Sequence, residues 1–431
     1  MSGLLVAGAG SVATLAGGLR RGAAQADAAA LDGGDLAVAC WGGRVLAVGP
    51  AADVYRQIVA AGHSPAEFEH VDADGGLITP GLIDAHTHLI FAGTREQEWQ
   101  MRAHGAGYLE VLAAGGGILS TVAATRDASD ERLLSAARGR LDEMLACGTT
   151  TAEAKSGYGL DVAAELRLLR IIGQLEAEGP MRLVPTYLGA HAVPEQYRGR
   201  PDGTDEFVAE VVDRQLPQVA AQGIAEFCDV FCERGVFSAN QTARILAAAT
   251  SLGMRTRIHA DELAPSGGAE LAAGSGCLSA DHLAAPSDAG VAALARAAAS
   301  PNPVVATLLP ATSWFLGKHH FAPARRFIDA GIPVALATDL NPGTSPTVSL
   351  PLVMSIACVE MGLSPAEALV AVTVNAAHSL GLGSEIGSIE PGRQADLVVW
   401  NVPTFEQLPY WLGTRPARTV IVGGRVVAGR A

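Results

Sequence analysis

The 431-residue sequence predicts an α/β protein: a (β/α)8 TIM barrel over residues 79–384 beside a small β-sandwich domain built from residues 1–78 and 385–431. Three observations predict it. Eight short, apolar, β-compatible segments alternate with Ala/Leu/Arg/Glu-rich stretches of helical spacing through the middle of the chain. Short strands broken by Gly and Pro sit at both ends. Polar residues capable of chemistry recur where the middle strands end, which is where such a barrel builds its site.

Taken in order, the first 78 residues hold strand-like pieces at Leu36 to Ala39 and Val45 to Val48 around a Gly42-Gly43 turn. Ala395 to Trp400 and Thr419 to Val427 match them at the far end. Isolated two-stranded hairpins are marginal in water, so the two ends are expected to build one domain together. The barrel strands are expected at Leu82 to His88, Thr149 to Lys155, Leu183 to Ala190, Ala225 to Cys232, Thr256 to Ala260, Leu278 to His282, Val304 to Leu309 and Pro333 to Asp339. Helical spacing marks Glu131 to Ala146, Val162 to Glu178, Glu206 to Ala221, Thr242 to Ser251 and Pro346 to Met361. A doubly wound open sheet competes, but no G-x-G-x-x-G follows the first strand and no Gly-Lys-Ser/Thr occurs. Gly115-Gly116-Gly117 lacks both contexts and reads as a loop.

Composition narrows the function. Acidic residues number 44 against 30 basic, a formal charge of −14, which argues against nucleic acid and anionic membranes and for a small-molecule substrate. Lys155 and Lys318 are the two lysines; the other basic residues are arginine. The six cysteines include no Cys-x-x-Cys and read as reduced thiols of a cytoplasmic protein, with Cys228 and Cys232 in the core. Met1 to Gly18 is apolar, but Arg20-Arg21 follow the apolar stretch rather than precede it, a poor match to a signal peptide. No apolar run is long enough to span a bilayer.

The chemistry centres on Pro80 to Leu89. On a strand, residues two apart face the same way, so His86 and His88 converge, and Asp84 on the same face is placed to orient one of them. Further strand ends bring His191, the group His259, Asp261 and Glu262, the pair Asp281-His282, and Asp339. His86, His88, His259 and Asp339 form a three-nitrogen, one-oxygen set of the kind that holds one zinc or iron ion with a position open for water. His63, His70, His104 and His378, expected in loops or helices, and the pair His319-His320 receive no role. Lys155 raises the idea of a carbamylated lysine bridging two metals, but it lies on the second strand, so a structural or substrate-side role is expected.

From Pro80 onward the chain resembles the amidohydrolase superfamily, and within it the imidazolonepropionase family of histidine degradation. The motifs that carry the resemblance are PGLIDAHTHLIFAGTRE at 80–96, EAKSGYGL at 153–160, YLGAHAVP at 187–194, AEFCDVFCERGVFS at 225–238, IHADEL at 258–263, SADHL at 279–283 and LATDLNPGTSPT at 336–347. It fades before about residue 75, and Leu340 stands where the family more often has an aromatic. The resemblance implies metal ligands at His86, His88, His259 and Asp339 and substrate contacts at Arg95, Tyr158, His191, Glu262, Asn341, Gly343 and Thr344. It also implies a homodimer. Arg95 and Tyr158 suit a propionate carboxylate, and Asn341 to Thr344 could bind the imidazolone ring.

The expected reaction is hydrolysis of 4-imidazolone-5-propanoate to N-formimidoyl-L-glutamate. Metal-bound water loses a proton to Asp339 and attacks the ring carbonyl. His282 or His191 stabilises the oxyanion and Glu262 protonates the leaving nitrogen. Two other readings compete. A deaminase or cyclic amidase shares the metal set without needing Arg95 and Tyr158; a metal-stabilised binding protein has no need of His282, Glu262 and Asp339.

Overall fold

The computed structural model describes residues 3–107, 110 and 115–429. The chain opens with β1 (Gly3–Ala13), β2 (Ala30–Trp41), β3 (Arg44–Pro50), β4 (Phe68–Asp72) and β5 (Leu77–Pro80). Strand β1 pairs in parallel with β4 through residues 3–7 and with β5 through residues 11–12. The change of partner coincides with a register irregularity around Gly8, whose φ of 72° is costly to a residue bearing a Cβ. Glycine at position 8 thus has a structural reason. His70, expected in a loop or helix, lies on β4.

The barrel follows as β6 (Leu82–Asp84), β7 (Thr149–Lys155), β8 (Arg182–Ala190), β9 (Phe227–Cys232), β10 (Arg255–Ala260), β11 (Ser279–His282), β12 (Val305–Leu308) and β13 (Val334–Leu336). These eight form one parallel sheet in sequential order, each paired with the next. Their residues are buried almost throughout, as expected of parallel strands covered on both faces by crossover helices. The expected helices appear at Asp130–Ala146, Val162–Glu178, Ala239–Ser251 and Leu350–Met361. The one expected over Glu206 to Ala221 is interrupted by a π-helical turn, Val211–Gln215, between Gly203–Glu210 and Leu216–Gln222. Pro217 has no N–H to continue a regular ladder at that point.

The first barrel strand is shorter than its sequence suggests. Its ladder with β7 stops at Asp84, because the next hydrogen bonds go elsewhere. The Thr87 N–H donates to the Glu153 carboxylate at 3.0 Å and the Thr87 hydroxyl to the Glu153 carbonyl at 2.6 Å. Residues 86–88 instead close the barrel. Asp339 N–H donates to the His86 carbonyl at 3.0 Å and His88 N–H to the Leu340 carbonyl at 2.9 Å. The closing seam therefore runs through three of the four expected metal ligands.

The chain ends with β14 (Leu397–Trp400), β15 (Ala417–Val422) and β16 (Arg425–Gly429). They join the N-terminal strands in one mixed eight-stranded sheet, with β14 beside β5 and β4 on the flank of β1. One face carries Leu4, Val38, Ile78, Leu397 and Ile421 in a shared core. The other packs Leu5, Ala37 and Ala47 against the helix Ala51–Ala60. Trp400 ties the sheet to the barrel: its indole N–H donates to Thr79 Oγ1 at 2.8 Å, and a Cβ on Gly148 would come 2.5 Å from its ring. Among the described residues no helix is long and apolar enough to cross a membrane.

Candidate active site

His86 and His88 follow β6, His259 lies on β10, and Asp339 follows β13. The fold brings their side chains to one point. His88 Nε2 stands 3.4 Å from His259 Nε2 and 3.4 Å from Asp339 Oδ1, and His86 Nε2 stands 3.5 Å from the same oxygen. Donors about 2.1 Å from one ion at tetrahedral corners lie about 3.4 Å apart, so this spacing is that of a ligand set. His86 Nε2 is buried without a hydrogen-bond partner. A desolvated lone pair is costly when nothing meets it, and a cation at the cluster would meet it. Three imidazoles and a carboxylate fit zinc and iron equally.

Two of the three histidines, His86 and His259, are oriented from behind by a carboxylate. Asp281 Oδ2 lies 2.7 Å from His86 Nδ1, so Nδ1 carries the proton and Nε2 faces the cluster. Asp229 Oδ2 stands 3.0 Å from His259 Nδ1, while Oδ1 accepts the His259 backbone N–H at 3.2 Å. Asp84, expected to orient one of the histidines, does not reach an imidazole. Its carboxylate accepts from the N–H and hydroxyl of Thr338 at 3.0 and 2.6 Å, across the barrel seam. Burial pushes Asp84 up to about 7 despite those bonds.

Burial also holds His86 and His88 well below the usual histidine range, helped by neighbouring cationic side chains. Both are therefore neutral, the form that binds a metal. At His259 burial acts the same way, but Asp229 outweighs it and the net shift is upward. Asp339 has a left-handed backbone at φ 54°, as do His282 at 72° and Asp261 at 51°. Such conformations cost on the order of 1 kcal/mol each and cluster where function requires a side chain to be turned inward.

Thr312, at the start of the helix Pro310–Phe315, was not marked by any sequence pattern. Its hydroxyl donates to Asp339 Oδ2 at 2.6 Å, leaving Oδ1 to face the histidines. Glu262 and His282 line one cavity together with Thr312, Ser313 and Lys318, and His282 Nε2 is 3.8 Å from Glu262 Oε2. His191 stacks on His88 with ring centroids 4.7 Å apart, and its Nδ1 lies 3.0 Å from the Gly157 carbonyl. That carbonyl can only accept, so Nδ1 carries the proton and Nε2 is free to accept; burial keeps the ring neutral.

Tyr158 is buried 5.3 Å from the His191 ring and 5.9 Å from the His88 ring. Its loop is held by Glu165, which accepts the N–H groups of Gly157, Gly159 and Leu160 at 2.8 to 3.0 Å. The Glu at this offset inside the following helix was the available signal for that role.

Arg95 lines a cleft with Phe91, Trp99 and Phe315. One edge of its guanidinium is already paired, with Nε and Nη2 at 2.8 and 2.7 Å from the two oxygens of Glu98. The Nη1 end remains for a ligand and lies against Gly343, where a Cβ would come within 2.0 Å. The Asn341 amide is committed to its own turn: Oδ1 accepts the N–H groups of Gly343 and Thr344 at 2.9 and 2.8 Å, and Nδ2 donates to the Asp339 carbonyl at 2.7 Å. Lys155 is fully buried with Nζ 2.7 Å from Glu153 and 2.7 Å from Asp229. A carbamate there would set a negative charge against two carboxylates, so of the roles expected for Lys155 the structural one agrees with its surroundings.

Residues 77–427 match the model of the amidohydrolase family. The chain is 52% identical over 385 residues to an imidazolonepropionase of Geobacillus kaustophilus, covering 89% of this chain and 88% of that one. An imidazolonepropionase of Solibacter usitatus is 47% identical over 420 residues and 97% of each chain. Among solved structures, E. coli guanine deaminase superposes with a TM-score of 0.72 over the whole of both chains at 17% identity. A triazine hydrolase variant gives 0.73 at 19% identity, over 99% of this chain and 95% of that one. At those identities the two structures speak for the fold alone, whereas the closer relatives and the family model speak for descent: this chain belongs to the amidohydrolase family and, within it, to the imidazolonepropionases.

Proposed function

We propose that this protein hydrolyses 4-imidazolone-5-propanoate to N-formimidoyl-L-glutamate, using one divalent ion held by His86, His88, His259 and Asp339. The observation that carries the metal half is the run of 3.4 to 3.5 Å approaches from His259 through His88 and Asp339 to His86. The substrate half rests on the relatives at about half identity over most of the chain. When bound, the ion would supply an activated water and polarise the ring carbonyl.

The chain's own residues do the rest. Asp339 takes the proton from the attacking water, its other oxygen being fixed by Thr312. Glu262 and His282 share the second proton transfer, delivering it to the ring nitrogen as the C–N bond breaks, and His282 donates to the developing oxyanion. His191 is poorly suited to that donation, because its proton is committed to the Gly157 carbonyl; its free Nε2 suits a ring N–H instead. Arg95 offers the Nη1 end to the propionate, and the Tyr158 hydroxyl is its second proposed contact. Gly343 and Thr344 line the ring, and Asn341 contributes by shaping their turn. The same reading takes the ion as zinc or iron, the assembly as a homodimer and the compartment as the cytoplasm. The six unpaired cysteines, five of them buried, support the last.

The test follows imidazolone propionate by ultraviolet absorbance, generated in place from urocanate by urocanase. Because the substrate decays spontaneously, Asp339→Asn supplies the baseline. Rapid loss with formimidoylglutamate appearing only for the parent protein supports the assignment. A folded, metal-loaded protein that does not accelerate the loss refutes it and returns attention to a deaminase or cyclic amidase.

A further inference from the structure

We infer that Lys155 is a positioning residue, the brace that ties the His86/His88 arm of the metal site to the His259 arm. This rests on the four-ligand site proposed above.

Two carboxylates meet at its ammonium, and each controls one arm. Glu153 Oε1 accepts from Nζ at 2.7 Å, while its Oε2 accepts the backbone N–H of Thr87, the residue between the two histidines, at 3.0 Å. The grip on Thr87 is threefold: its hydroxyl donates to the Glu153 carbonyl at 2.6 Å, and the Lys155 backbone N–H donates to the Thr87 carbonyl at 3.0 Å. On the other side Asp229 Oδ2 accepts from Nζ at 2.7 Å and stands 3.0 Å from His259 Nδ1. Its second oxygen takes the His259 backbone N–H.

Barrel strands β6 and β10 are not neighbours, so no backbone ladder fixes His86 and His88 against His259. A side chain has to do it. Arg257 makes a parallel connection, donating to the Ala85 carbonyl at 2.7 Å and to Asp281, the partner of His86, at 2.9 Å. Two cations from one interior thus span the two arms.

The residue type fits the task. All but two of the basic side chains in this sequence are arginines, yet this buried position holds a lysine. An ammonium is a compact point charge that bridges two carboxylates in a close-packed interior, where a planar guanidinium needs more room.

The test measures zinc affinity, not only turnover. Metal-free parent, Lys155→Met and the charge-balanced double variant Glu153→Gln/Lys155→Gln are titrated with zinc against a competing chelator. The parent binds one ion. Both variants are expected to bind zinc about 10- to 100-fold more weakly, the usual loss when an orienting partner of a ligand is removed. Turnover falls with it, while KM for the imidazolone stays near the parent's, since Lys155 does not reach the substrate cleft. If Lys155→Met does not fold, the double variant decides alone, because it removes one carboxylate together with the ammonium and leaves the net buried charge unchanged. A folded variant that melts earlier but keeps the parent's zinc affinity and kcat shows Lys155 to be a packing residue and overturns the brace. A parent that binds no zinc overturns the metal site itself, and the brace with it.

Discussion

Thr312→Val isolates one hydrogen bond in the proposed active site. The side chain is 2% exposed and its hydroxyl donates at 2.6 Å to Asp339 Oδ2. Valine preserves the branched shape and removes only the donor. A hydrogen bond to a charged group contributes about 1.5 to 3 kcal/mol, and at about 1.4 kcal/mol per decade this converts to a loss of about 10- to 150-fold. The loss should appear in kcat, because the freed carboxylate can rotate Oδ1 away from the attacking water, whereas KM should change little. Thr312→Ser, which keeps the hydroxyl, should recover most of the rate. The assay is initial rate against imidazolone concentration with zinc in excess, so that weaker metal binding does not masquerade as slower chemistry. A Thr312→Val enzyme within twofold of the parent kcat would refute the claim that this hydroxyl sets the Asp339 geometry.

Four further outcomes are expected. Asp339→Asn removes a general base and a ligand oxygen together and should lower kcat by at least about 10² to 10⁴; near-normal turnover would remove it from the chemistry. Arg95→Ala should raise KM by about 10- to 100-fold with a smaller effect on kcat, one charge-assisted contact being worth about 1.5 to 3 kcal/mol; an unchanged KM would take Arg95 out of the carboxylate site. Chelation should abolish turnover and lower the melting temperature, with both restored by a divalent ion; full activity in a protein verified to be metal-free would end the metal mechanism. Far from the site, burial raises Glu367 but Arg325 and the Ser364 N–H more than offset it, so its folded value lies below the ordinary one. Its contribution is therefore present at neutral pH and lost as pH falls through that depressed value. Glu367→Gln should cost about 0.5 to 1 kcal/mol at pH 7, little of it remaining in acid, and leave kcat unchanged; equal destabilisation at both pH values would contradict the assignment.

Some of this was legible in the sequence for reasons that can be named. Barrel strands covered on both faces read as apolar runs, so β7 to β13 appear nearly where the chain places them. The proposed ligand set could be assembled from the sequence because His86 and His88 are local to each other and the remaining two lie at strand ends, positions that a barrel brings together whatever their separation. The orienting groups were another matter. Asp84, two residues from His86, was the expected partner, but Asp281, 195 residues away, holds the ring. Proximity in sequence favoured the first; the closing seam, which turns Asp84 toward Thr338, decided for the second. Likewise Arg95 was expected to meet a propionate carboxylate, and only the fold sets Glu98 against one edge of its guanidinium. Pairings between strands depend on barrel register, and no local pattern encodes them.

The buried charges around the site give a reason for a divalent ion that is independent of its ligand geometry. Glu153, Asp229, Asp281 and Asp339 are each at most 2% exposed, and Lys155 and Arg257 are the cations buried among them. Four carboxylates against two cations leave two negative charges in the barrel interior, with Asp84 set aside because burial moves it to about 7. Isolated charge in such surroundings costs several kcal/mol per ion even after relaxation. His86 and His88 do not supply the balance, since the same burial holds them neutral, whereas His259 is shifted upward beside Asp229. A divalent ion at the cluster would offset that negative charge. The carboxylates behind the imidazoles and the two basic side chains among them thus support the proposed divalent ion from a second direction, besides the spacing of its ligands.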